Sequence, residues 1–493
     1  TLRTCPVIQK GRTMDKTYII SQSTSLVLVI IISLIFTVLG LYHSKKFKGI
    51  NNYLTANRDV GLFSLTTSLV ASALGAWILF GPAAAATWGG VGAVIGYALG
   101  TAFPMIFLIF LGKKIRTEFP KGSSLIEFMR KKFGKSLFKL ILLMTIFYMF
   151  IFLCAEVTAV AVLINYISGT QLWITALIVL LATLTYTLYG GLRASIFTDN
   201  IQMIVISILL LISISYILSN TGNTFSFEFI EQKNPQLLSS SYVPSYTAGL
   251  TFFIAVAATN LFHQGNWQRV YAAKNYQTLK QSLLISFFII IPIVFFMGFT
   301  GMVSFSIDPS QRPDLGFFTL LLKEQTQTLS LLIITLGLAL TISTVDTLVN
   351  AISSLFVVDG KATFDLNKKT DYLKLSKYFI ILLSLISFFI ASKGFDILYL
   401  FLLADLFCCA FVYTVFYSFY NKDVNERTAY IAIIIGLIGG FLLFPFPNFS
   451  KSLLVGVLMS KELFSPFVLQ SLLFLSFIVA TFLPAIILKI KKN

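Results

Sequence analysis

The sequence predicts an all-α polytopic membrane protein with about thirteen transmembrane helices and no soluble domain. Three observations carry that expectation. Hydrophobic residues make up 57% of the 493-residue chain and charged residues 12%, at a mean hydropathy of +0.86, whereas a soluble domain is about half apolar and about a quarter charged. Apolar stretches of roughly 20 residues, long enough to cross about 30 Å of hydrocarbon, recur from end to end. Basic residues are divided among the loops between them. The net charge of +17 therefore marks membrane-flanking segments rather than a nucleic-acid surface.

In order, the stretches begin near Thr24, Leu62, Val91, Phe138, Leu172, Phe197, Thr247, Ser282, Leu331, Tyr378, Phe395, Ala429 and Val468. Lys and Arg beside short loops stay on the cytoplasmic side. An N-terminus outside puts most of the 37 basic residues inside, in segments such as Lys113 to Lys139, Lys361 to Lys377 and Lys489 to Lys492. An odd number of crossings then leaves the C-terminus in the cytoplasm, and the expected location is a bacterial inner, or plasma, membrane. Residues 1–23 are expected as an extracytoplasmic tail, with Met14 as the true start, and residues 24–493 as one membrane domain. Leu26 to Leu41 is longer than a signal-peptide core and is followed by Lys45, Lys46 and Lys48 without a small-residue cleavage site. Cys5, Cys154, Cys408 and Cys409 show no paired metal spacing and read as small buried hydrophobes.

With the first span peripheral, the next five start inside and the following five start outside. This parity is that of an inverted repeat, whose binding sites lie near the midplane on broken helices. The second span, Leu62 to Trp88, contains Gly75, Gly81 and Pro82 and is longer than one straight crossing. Carbonyls freed where such a helix unwinds can bind a cation if they line a cavity; close packing by small residues is the alternative.

The ninth span, Leu331 to Val358, carries Ser343, Thr344, Asp346, Thr347, Asn350, Ser353 and Ser354. Ser343, Thr347, Asn350 and Ser354 fall on one helical stripe. A carboxylate at membrane depth costs at least about 2.5–3.5 kcal/mol, so this stripe faces the interior and reads as half of a cation site.

The stretch Tyr186 to Gln202, YTLYGGLRASIFTDNIQ, resembles the signature of the sodium:solute symporter family. Gly265 to Ala273, GNWQRVYAA, and Ile342 to Ser354, ISTVDTLVNAISS, are similar to two further family segments, in the family's order. The resemblance covers about Asn51 to Ser418 and is greatest to the urea and polyamine transporter branch. It implies a five-plus-five inverted-repeat (LeuT-like) core over about 62–418, with sodium between the first and eighth core helices. Carried onto this chain, the ligands are the carbonyls of Ala71, Leu74 and Leu340 and the hydroxyls of Ser343 and Thr344. Neutral oxygens suit a hard monovalent ion. Ala73 stands where some relatives carry an aspartate, so proton coupling stays open. Asp199 matches the family aspartate associated with the inner ion exit.

The substrate candidates are Trp77, Phe80, Tyr97, Glu156, His263, Gln264 and Trp267, because solute sites mix apolar walls with a few oriented polar groups. Glu156 and Asp405 are the other deep acids, each without a basic residue in its own span; a hydrogen bond to a neighbouring helix is the structural alternative for both. His263 stands where the urea branch carries an acid, and the amide of Gln264 can both donate and accept. The expected function is sodium-coupled import of a small polar organic solute by alternating access, urea first. An amino acid such as proline, a short carboxylate, proton coupling or a passive channel are the alternatives. No cofactor is expected, and the expected partners are the bilayer, sodium and the solute. No Gly-rich phosphate loop, HExxH or nucleophile with an ordered base supports an ATPase or hydrolase.

Overall fold

In the computed structural model, the described residues are 18–490 apart from 48, 325, 361–362, 364–370, 422, 450–451 and 455–465. Cys5, Met14 and much of the basic 361–377 segment lie outside them. Among the described residues, eleven helices are long and apolar enough to cross a membrane, and two of them fold back at a glycine corner, which makes thirteen passes.

The helix Leu172–Thr221 has 50 residues, about 75 Å if straight, more than twice the hydrocarbon thickness. It bends at Gly191, whose φ of 59° and ψ of −150° belong to a region essentially reserved for glycine. Tyr186 before the corner and Thr198 after it both reach Asp346 Oδ2, at 2.6 and 3.1 Å. In a straight helix those residues would stand about 18 Å apart, so the chain turns back between the fifth and sixth spans. Gly90 (φ 54°, ψ −151°) does the same inside Gly81–Glu118. There Ala83 and Val94 come to neighbouring positions on one partner helix, Tyr276–Ile307, at Gly301 and Gly298.

The second span consists of Leu62–Ala73, a 3-10 turn Ala76–Leu79 and the start of Gly81–Glu118. Pro82 falls in the first turn of that last helix, where its missing N–H costs nothing. The seventh span breaks too, at His263, between Val243–Phe262 and Gln264–Ala272. Each five-helix unit, spans two to six and seven to eleven, thus opens with a broken helix, and the architecture is the all-α five-plus-five inverted repeat.

Burial sorts the passes. The windows of the ninth span, Gln327–Gly360, and the eleventh, Ile397–Ser418, are 78% and 83% buried, whereas the tenth and twelfth are 22% and 28% buried. The hydroxyl-rich ninth span is therefore central, and the outer passes show apolar faces such as Ile381, Leu382 and Leu385. Cys154, Cys408 and Cys409 are buried and unpaired with one another.

Candidate functional site

The ladder of Leu62–Ala73 ends with the Leu74 N–H on the Val70 carbonyl, and the next main-chain bond beyond the gap runs from the Ile78 N–H to the Gly75 carbonyl. The carbonyls of Ala71 to Leu74 thus stand at an interrupted ladder. Ser72 Oγ meets Thr347 Oγ1 at 3.2 Å, which brings the break against the ninth span. There Thr344 Oγ1 donates to the Leu340 carbonyl at 3.1 Å and Ser343 Oγ donates to Asp199 Oδ1 at 2.6 Å. With its O–H directed at the carboxylate, the Ser343 oxygen keeps its acceptor lone pairs free. The chemistry of the donor set, carbonyls and hydroxyls, fits a hard monovalent cation.

Asp199 has 0% exposure and lies eight residues beyond the Gly191 corner. Its Oδ2 accepts from Ser68 Oγ at 2.5 Å and from Arg269 Nη2 at 2.7 Å. The same guanidinium donates to Ser68 Oγ, the Gly265 carbonyl and Thr347 Oγ1 at 2.7, 3.0 and 3.0 Å. One network thus joins the second, sixth, seventh and ninth spans. Arg193 has other partners, the Ala56 carbonyl at 2.9 Å and the face of Phe47. A cavity of about 150 Å³ is lined by Asp59, Arg193, Ser64 (one turn before Ser68) and Asn200 (the residue after Asp199).

Asp346 accepts hydrogen bonds from the hydroxyls of Tyr186, Ser195 and Thr198 at 2.6, 2.8 and 3.1 Å. It fastens the ninth span to both arms of the Gly191 corner. Hydroxyls thus satisfy this buried carboxylate.

A second cavity, of about 30 Å³, opens on the other side of the break. Trp77 and Tyr97 stack at 5.4 Å along one wall, with Ser72, Thr344, His263 and Asp405 also lining the space. That volume suits a group about the size of one or two waters, so a solute has to displace side chains to enter. Asp405 Oδ1 accepts from Thr259 Oγ1 at 2.6 Å, and buried His263 Nδ1 has no partner among the described residues. The polar lining thus sets one carboxylate acceptor, Asp405, among groups that can both donate and accept, Ser72, Thr259, Asn260, His263 and Thr344.

Of the candidates read from the sequence, Trp77, Tyr97 and His263 line this cavity together with the expected ion ligand Thr344, whereas Phe80, Glu156, Gln264 and Trp267 do not. Phe80 packs on Phe318 at 5.1 Å. The Gln264 amide donates to the Ser123 carbonyl at 3.0 Å, Trp267 Nε1 donates to the Leu261 carbonyl at 2.7 Å, and Glu156 holds the Ala76 N–H. Thr259 and Asn260 line the cavity without having been singled out. Their position three or four residues before the break at His263, one turn of helix, is the signal that points to them. Arg269 is the other omission, and an arginine in an apolar span is itself a demand for a buried acid.

A sequence profile of the Sodium:solute symporter family matches residues 53–436. The chain is 26% identical over 385 residues to a spermidine transporter of Candida albicans, an alignment covering 76% of this chain and 71% of that protein. It is 24% identical over 478 residues to a sodium/glucose cotransporter of Mus musculus, covering 84% and 68%. Among solved structures, a substrate-bound, outward-open Na+-coupled sialic acid symporter superposes with a TM-score of 0.69 at 17% identity, covering 94% of this chain and 97% of the other. That last likeness shows the fold.

Proposed function

The chain belongs to the Sodium:solute symporter family, and from that premise we propose that it imports a small solute rich in N–H donors, driven by sodium through alternating access. Sodium binds between the broken second span and the ninth, at the Ala71, Leu74 and Leu340 carbonyls and the Ser343 and Thr344 hydroxyls. Thr344 is shared with the wall of the solute cavity, so ion and solute stabilise the same arrangement of these two spans. Such coupling is reciprocal. Release runs inward past Asp199 into the cavity lined by Ser64 and Asn200.

The observation that carries the solute class is the Asp405 carboxylate in the cavity lining, beside the Trp77 and Tyr97 rings. Urea, with N–H groups and no charge, is the first reading. A cationic polyamine is the second, favoured by the carboxylate beside aromatic faces and by the likeness to a spermidine transporter. Uptake of labelled urea, spermidine and proline into proteoliposomes, with and without an inward sodium gradient, separates them. Sodium-dependent uptake of urea or spermidine supports the proposal; sodium-dependent uptake of neither contradicts it.

A further inference from the structure

Where the second span breaks, main-chain N–H groups leave the helical ladder. In a hydrocarbon setting an unpaired donor of this kind costs several kcal/mol, and broken transporter helices commonly turn such donors toward an anionic group of the substrate. Here the chain supplies the group itself. Glu156, from the helix Lys135–Ser168, brings Oε2 to 2.9 Å from the Ala76 nitrogen at 0% exposure. Its Oε1 has no partner among the described residues. A Cβ at residue 75 would collide with that Oε1, so glycine at this position lets the carboxylate seat against the break. Trp77, two residues on, lines the cavity with Tyr97, and Ser72 and Ala73 line it from the other side of the break.

We propose that Glu156 is a resident stand-in for a substrate carboxylate, a positioning and selectivity residue that sets which solutes the transporter refuses. It occupies a main-chain donor freed by the break, directly before the cavity-lining Trp77, that would otherwise be open to a solute carboxylate. Asp405 is the acid in the cavity lining itself, and Glu156 stands on the Ala76 N–H, next to Trp77. Solutes bearing a carboxylate are rejected, while neutral and cationic ones are admitted. This inference rests on the solute-cavity reading above and narrows its substrate class.

The test separates the Glu156 role from the transport reading by measuring binding without transport. Purified wild-type protein, Glu156→Ala and Glu156→Gln are melted in detergent in sodium formate and in sodium chloride at equal ionic strength. Formate fits the space that Glu156→Ala vacates and accepts the freed N–H, so it raises the melting temperature of that variant alone. Glu156→Gln keeps an acceptor on the Ala76 N–H, melts above Glu156→Ala in chloride and does not respond to formate. Absence of a formate shift in Glu156→Ala, or an equal shift in wild type, overturns the proposal. A second arm needs no variant: wild-type proteoliposomes under an inward sodium gradient take up neither labelled acetate nor labelled proline. Sodium-dependent uptake of either one overturns the proposal even if Glu156→Ala fails to fold, and it leaves sodium coupling itself intact.

Discussion

Arg269 and Asp199 meet at 2.7 Å with neither side chain exposed, although 70 positions separate them in the chain. A guanidinium at this depth is tolerable only with its counter-charge and hydrogen-bond acceptors in place. Asp199→Asn strands the arginine and is expected to cost about 3–5 kcal/mol. The double variant Asp199→Asn/Arg269→Gln, which leaves no buried charge, should recover a large part of that loss. Thermal unfolding of the purified variants checks the cycle, and two additive losses would refute the coupling.

The cavity lined by Ser64 and Asn200 includes the residue that directly follows Asp199. If it is the inner mouth of the ion path, Ser64→Cys should react with a membrane-impermeant thiol reagent applied from the inside. Sodium, by favouring the outward-open state, should slow that labelling several-fold. An equal rate with and without sodium would remove this cavity from the path.

Asp405 is the acid that lines the solute cavity, with Thr259 on one oxygen. Hydrogen bonds to a charged group contribute about 1.5–3 kcal/mol, so Asp405→Asn should raise KM for the accepted solute by about ten- to a hundredfold. Sodium-binding affinity measured without solute should change much less. Uptake kinetics and sodium titration of the same preparation separate the two.

Gly191 holds the corner between the fifth and sixth spans at a positive φ, and a Cβ there would stand 2.5 Å from the Tyr53 ring. Gly191→Ala is expected to lose about 1–3 kcal/mol from backbone strain alone, with further loss from the collision. The melting temperature should fall markedly; an unchanged one would mean that the corner is not needed as described.

The thirteen passes are legible in the sequence because span length and hydropathy depend on the bilayer, not on which neighbours a helix meets. The break near Gly75 is legible for a similar reason, since glycine and proline interrupt any ladder. Side-chain partners are a different matter. Arg193, six residues from Asp199, is its neighbour in sequence, yet its guanidinium goes to the Ala56 carbonyl while Arg269 takes the carboxylate. Gln264 stands at the break of the seventh span but turns toward Ser123, leaving His263 to line the cavity. Glu156 likewise reads as a membrane acid with an unknown partner, and only the fold brings it to the Ala76 N–H. Such pairings depend on which faces the spans turn to one another.

The account turns on one ion site made by the second and ninth spans, and Ser343→Ala/Thr344→Ala tests it most directly. The measurement is the sodium dependence of solute uptake into proteoliposomes, wild type against the double variant, at matched protein density and membrane potential. Losing two ligand oxygens should raise the half-saturating sodium concentration by about tenfold or more, since each 1.4 kcal/mol is a factor of ten, and should abolish uphill accumulation at ordinary sodium levels. An unchanged sodium dependence in a folded double variant would contradict the site.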